Sequence, residues 1–313
     1  MDARDELDDE RRDVERMLGR VLGRVPEDVA FLTAGAWSRA FVFRDRERDY
    51  VVRLSALDED FRKDRLAARH SSPALPIPRF VEMGTTESGF YAITERVAGE
   101  ELETADEATM RSRLPSLFAA LDAMRLADIG DATGFGVWNG QGRAPHRTWR
   151  DALLSVAIDD PGRRDHGWRD RLAASAVGSG PFETAFAELR RLAADLPDAR
   201  HLVHSDLVNH NVLASGDRLT GVFDWGSSLY GDFLYDLAWI SFWAPWYPSW
   251  GRIDVASEAR RHHAAIGLEV PGFEERLRAC QIHVGLNGQA YQARFGHPEL
   301  ERTARRTLEF AAG

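Results

Sequence analysis

Cysteine is almost absent from this chain of 313 residues: Cys280 stands alone. That excludes a disulfide framework within the chain and a cysteine-based zinc cluster, and Cys280 is expected to be a small buried apolar residue. Long apolar runs are missing too. None approaches the roughly 18 residues of a membrane span, and the opening MDARDELDDERRD is acidic, without the apolar core of a signal peptide. A cytoplasmic protein is expected. There is no internal repeat and no low-complexity stretch. Positive charge is in deficit: a formal net charge of −10 argues against a nucleic-acid partner and suits a cationic one, because acidic clefts attract cations. What is present is ordinary globular composition, 44% hydrophobic and 29% charged, in a chain long enough for one large domain or two lobes.

The hydrophobic pattern changes period along the chain. Val14, Met17, Leu18, Val21 and Leu22 recur at helical spacing over residues 12–22. VAFL, AFVF and YVVRL, between residues 29 and 54, are β-type runs that read as an antiparallel meander. DEDFRKDRLAARHSS reads as a helix, stopped by PALPIP because proline cannot continue one. Strands are expected near 79–83 and 89–95. Helices follow at 105–128, TWRDALLSVAI and FETAFAELRRLAADL, and again over most of the chain from Phe233 onward. The expected fold class is α+β: an N-terminal lobe, residues 1–97, built on a small antiparallel sheet, and a larger helical lobe, residues 98–313. The hinge falls near Arg96–Gly99, and a ligand is expected in the cleft between the lobes.

HLVHSDLVNHNVL, residues 201–213, sets polar residues on a loop between two short apolar runs. Polar side chains on a loop held by strands are where chemistry usually sits. His204, Asp206 and Asn211 form H-x-D-x-x-x-x-N, and Asp224 follows eighteen residues after Asp206 in GVFDWG. The Asp-to-Asn spacing is that of the protein-kinase catalytic loop, with the later Asp where those enzymes keep a metal-binding aspartate. Phosphoryl transfer needs a carboxylate to orient the acceptor hydroxyl and take its proton, a role for Asp206. It also needs Mg²⁺, which prefers oxygen ligands such as the Asp224 carboxylate and the Asn211 amide. His204 has no proton to move in this scheme and is expected to brace the loop.

These stretches, together with SRAFVFRDRERDYVVRL, FRKDRLAARHSSPALPIP, TGFG, TWRD, VFDWGSSLYGD and SFWAPW in the same order, resemble the aminoglycoside phosphotransferases, and within them the branch acting on hygromycin B. The likeness covers most of residues 35–250. It implies a protein-kinase-like bilobal fold and ATP- and Mg²⁺-dependent phosphorylation of a hydroxyl on an aminocyclitol antibiotic, hence resistance by inactivation. Asp206 would be the base and Asn211 and Asp224 the metal ligands. TAGAWSRAF looks like the loop over the phosphates, with Ser38 a contact, although it lacks G-x-G-x-x-G. TERVAG looks like the hinge, where backbone groups of Glu95 and Val97 would meet adenine. Backbone contacts leave GTP open beside ATP.

One departure from the kinase pattern is Arg53 at the usual lysine of the third strand. Arg binds phosphate but is not interchangeable with Lys. Its helix partner is assigned as Asp64, against the alternative of a solvated charge run. On the acceptor side, Asp232 reads first as a helix N-cap and second as a substrate contact. Asp236 resembles the family's structural aspartate, which braces the catalytic loop. Trp239 and Trp243 read first as core and second as platforms for sugar faces. His210 stands where the similar enzymes have Asn, beside Asn211, and so bears on the acceptor pocket. The expected partner is a small cationic aminocyclitol bound by a monomer, with no nucleic acid and no membrane. Two alternatives remain: a kinase of the same fold acting on a metabolite hydroxyl, and a nucleotide-binding pseudokinase. Retention of Asp206, Asn211 and Asp224 argues against the second, and the absence of D-F-G and A-P-E segments argues against a protein kinase.

Overall fold

The computed structural model describes residues 3–130, 132–248 and 250–313. Helix α1 (Ala3–Leu22) starts well before the apolar periodicity does. Its first half is a charge run whose members pair one turn apart, such as Arg12 with Asp9 at 3.3 Å, and such pairs support an exposed helix without apolar residues. Its second half lays Val14, Met17 and Leu18 against Val29, Phe41, Phe43, Val52, Tyr91 and Ile93. These come from a five-stranded antiparallel sheet of β1 (Glu27–Ala34), β2 (Arg39–Asp45), β3 (Arg48–Ser55), β4 (Phe80–Thr85) and β5 (Phe90–Glu95). The strand order is β1-β2-β3-β5-β4. Helix α2 (Glu59–Ala67) is inserted between β3 and β4, and a single 3₁₀ turn follows it before the prolines.

After β5 the chain forms β6 (Glu100–Glu101), then α3 (Glu107–Arg125), capped by Asp106 accepting the Thr109 N–H at 2.8 Å. Next come β7 (Gly136–Val137), α4 (Trp149–Leu154), α5 (Trp168–Ala174) and α6 (Gly180–Leu192). Helix α5 was not legible in the sequence: it is two turns long and follows a charged loop. The catalytic-loop region contributes β8 (His201–Val203), β9 (Val212–Ser215), β10 (Arg218–Val222) and β11 (Leu229–Gly231). The strands on either side of the loop join different sheets, β10-β9-β6 and β7-β11-β8. The loop therefore spans the gap between two anchored strands. A 3₁₀ turn (Trp225–Ser227) and β11 separate Asp224 from α7 (Leu234–Trp243), which begins one residue after Phe233.

Helices α7, α8 (Val255–Ala265), α9 (Phe273–Phe295) and α10 (Leu300–Ala312) complete the lobe, with α9 packed against α5, α6, α7 and α10. Cys280 lies on α9 and is fully buried. His283, one turn on, is half-buried, with the Tyr235 hydroxyl 2.8 Å from its Nδ1. Burial pushes its pKa down to about 3. The folded protein thus resists a proton that the unfolded chain takes up near pH 6.5, and stability falls as pH drops below that value. His283→Gln removes this dependence. Urea unfolding at pH 7 and pH 5 should show the free-energy gap moving toward the variant by about 2 kcal/mol at the lower pH; a gap that does not change with pH would contradict the assignment.

Candidate active site

The loop is built from main-chain amides held by one buried carboxylate. The His204 and Ser205 N–H groups donate to Asp236 of α7 at 2.9 and 2.7 Å. The Asp236 carboxyl is 2% exposed, and burial pushes its pKa up to about 7 against the pull of those two amides. His204 Nδ1 accepts the Asp206 N–H at 3.2 Å, so its Nε2 carries the hydrogen and donates to the Phe223 carbonyl at 3.0 Å. Burial lowers the His204 pKa to about 4, which keeps the ring neutral. One imidazole thereby ties the loop to the residue before Asp224.

The hairpin of β9 and β10 closes the other side. Val222 pairs with Val212, and the Phe223 N–H donates to the Asn211 carbonyl at 3.1 Å, which brings Asn211 and Asp224 to one end of the hairpin. Asn211 is 6% exposed and turns its Nδ2 to the Asp206 carbonyl at 2.9 Å and to Asp206 Oδ2 at 3.1 Å. Its amide oxygen is the atom left for a cation. Burial, and then the negative charge of Asp224, push the Asp206 carboxyl well above its ordinary range, while bonds from Asn209 and Asn211 pull it back. Asp224 is the open member: its side chain is 48% exposed and its φ is +61°. Among the described residues, no group of three or more His, Cys, Asp and Glu gathers to hold a metal. One carboxylate and one amide oxygen fit Mg²⁺, which prefers oxygen ligands, rather than zinc.

Arg53 on β3 forms an ion pair with Asp64 on α2, and its Nη1 lies 3.7 Å from Asp224 Oδ1. Asp64 is buried, not part of a solvated run, and also accepts the Trp225 N–H at 2.8 Å. Ser38 lies in the β1–β2 turn, where its carbonyl takes the Gly35 N–H at 2.9 Å. Glu95 pairs with Arg79 and Arg48, and its amide donates to the Arg79 carbonyl at 3.0 Å. Val97 packs so closely over Gly221 that a Cβ there would fall 2.7 Å from it.

On the acceptor side the His210 N–H donates to Glu103 at 2.8 Å, and its ring Nδ1 lies 2.8 Å from Glu101. The Tyr247 hydroxyl donates to the Val208 carbonyl at 2.7 Å. Trp239 and Trp243 are half-buried, their rings 6.0 Å apart at the edge of the core. Asp232 corrects the expectation of an acceptor contact. It is fully buried, accepts the Leu234 N–H at 3.1 Å, and is gripped by both ends of the Arg276 guanidinium at 2.8 and 2.9 Å, so no oxygen is left to meet a sugar. Sequence reasoning missed Glu101, Glu103, Ser205 and Lys63. The acidic run AGEELE beside the hinge was the available signal for the two glutamates. For Lys63 there was none, since its partners lie more than 160 positions away.

The profile of the phosphotransferase enzyme family matches residues 28–276. Hygromycin-B 4-O-kinase of Escherichia coli is 36% identical over 268 residues, which is 85% of this chain and 74% of that protein. A ternary complex of a thermostable mutant of the aminoglycoside phosphotransferase APH(4)-Ia with AMP-PNP and hygromycin B superposes with a TM-score of 0.83 at 31% identity, covering 96% of this chain and 98% of that one. Spectinomycin phosphotransferase APH(9)-Ia, with a TM-score of 0.59 at 12% identity over 95% of this chain and 97% of that one, shares the fold.

Proposed function

The chain belongs to the phosphotransferase enzyme family, and from that premise we propose that it transfers the γ-phosphoryl group of ATP to a hydroxyl of hygromycin B, inactivating the antibiotic. The observation that carries the reading is the joint placement of Asp206, Asn211 and Asp224 around one loop and one hairpin end. The identity of relatives that act on or bind hygromycin B supports the choice of acceptor.

Asp206 orients the acceptor hydroxyl and takes its proton as the oxygen attacks. Asn211 holds that carboxylate in place through Nδ2 and offers its oxygen to Mg²⁺, with Asp224 the second ligand. When bound, Mg²⁺ neutralises charge on the phosphates as the bond to the leaving group breaks. Arg53, kept in place by Asp64, faces the phosphates from β3. The β1–β2 turn with Ser38 covers them, and backbone groups at Glu95 and Val97 receive the base. Residues 1–97 act as the nucleotide lobe and 98–313 as the acceptor lobe. Glu101, half-exposed beside His210, gives the acceptor lobe a carboxylate suited to an ammonium group, with the buried Glu103 holding the His210 amide behind it. Trp239 and Trp243 offer aromatic faces for the sugar rings.

Expression in a hygromycin-sensitive bacterium tests this reading. Growth should survive hygromycin B with the native chain and fail with Asp206→Ala at equal protein level. Protection that persists with the variant, or sensitivity with both, would contradict the proposal.

A further inference from the structure

Among the 40 Lys and Arg residues of this chain there is one lysine, Lys63. It is not on the surface. It projects from α2 into the interior, 1% exposed, with its Nζ 4.7 Å from the centre of the Trp138 ring. Its ammonium donates to the Gly226 carbonyl at 2.6 Å and to the Ser228 carbonyl at 3.1 Å. The carbonyl between them, that of Ser227, is taken by the Ser205 hydroxyl of the catalytic loop at 2.6 Å. The next residue on the helix, Asp64, accepts the Trp225 N–H at 2.8 Å. Two adjacent side chains of opposite charge thus hold the turn by its donor and its acceptors. That turn begins directly after Asp224, whose left-handed backbone (φ +61°) is uncommon for a residue with a side chain and must be held by its surroundings.

We propose that Lys63 is a positioning residue for magnesium binding: by gripping Gly226 and Ser228 it fixes the turn that aims the Asp224 carboxylate beside Arg53. The inference rests on the reading of Asp224 as a metal ligand. The choice of lysine follows from space. A compact ammonium donates in several directions between two carbonyls, whereas the planar fork of arginine needs more room than a site 1% exposed provides. Burial lowers its pKa to about 7, yet protonated or neutral the amine retains two N–H donors for its two carbonyls. Because Asp64 also pairs with Arg53, α2 links the phosphate-binding arginine to the metal-binding turn.

The test is calorimetric binding of AMP-PNP with and without Mg²⁺, the readout being the factor by which Mg²⁺ tightens binding. Outer partners of metal ligands commonly carry 10–100-fold of metal affinity. Lys63→Met is expected to cut the tightening factor by about 10-fold or more, with metal-free affinity unchanged. Lys63→Gln, which keeps donors of shorter reach, should fall between it and the native protein. If Lys63→Met does not fold, Lys63→Gln decides by the same comparison. Asp224→Asn separates the two levels of the argument. If it loses the tightening while the Lys63 variants keep it and merely melt earlier, Lys63 only packs and the proposal falls alone. If Asp224→Asn keeps the tightening, the metal-ligand reading falls, and the proposal with it.

Discussion

Asp206→Ala is expected to fold normally and to lose at least about 100-fold in turnover, the usual size of a general-base contribution. That factor corresponds to about 2.7 kcal/mol of transition-state stabilisation. Stability should hold because the carboxylate sits in an unfavourable place. It is half-buried, near the negative charge of Asp224, and desolvation and that charge both raise its pKa. Removing it relieves that cost, and the Asn211 amide keeps its bond to the main-chain carbonyl of residue 206. Steady-state kinetics beside a thermal melt would check both halves. Turnover within a few-fold of the native enzyme would remove Asp206 from the chemistry, and a collapse of the melt would show that it is structural.

The second large effect is on stability. Asp236→Ala strips two adjacent buried amides, those of His204 and Ser205, of their acceptor. Each unsatisfied donor costs about 1–3 kcal/mol. Part of that is returned because the buried carboxyl is itself strained, with a pKa near 7. A net loss of about 2–4 kcal/mol follows, which lowers Tm by roughly 5 °C for a chain of this length. Ser205 stands at φ +59°, so the loop should also lose its shape and turnover should fall although Asp236 meets no substrate. Scanning calorimetry with parallel kinetics measures both effects. An unchanged Tm would mean that the loop holds itself without Asp236.

The loop was legible because its chemistry is written in consecutive residues. H-x-D-x-x-x-x-N needs only one strand on each side, and the β9–β10 hairpin that brings in Asp224 is local as well. The first lobe was legible for a similar reason, since β1, β2 and β3 are sequential neighbours and β4 pairs with β5, with only the β3–β5 contact joining strands apart in sequence. What escaped detection depends on distant partners. Asp64 was legible in the polar stretch of α2 as the partner of Arg53, but its bond to the Trp225 amide and the inward course of Lys63 depend on a turn from the second lobe. Apolar periodicity is blind to polar residues that are buried by being paired. Asp232 shows the converse. Its local reading as a cap agrees with its bond to the Leu234 amide, but Arg276, on another helix, takes the rest of the carboxylate and withdraws it from any ligand.

The loop and hairpin are expected to phosphorylate hygromycin B. The most direct measurement is incubation of the purified protein with Mg·ATP and hygromycin B, other aminoglycosides and simple amino alcohols, with ADP and phosphorylated product quantified together. Equimolar ADP and monophosphorylated hygromycin B are expected, with far slower turnover on the amino alcohols. ADP release with a metabolite and none with hygromycin B, or nucleotide binding without any transfer, would contradict that expectation.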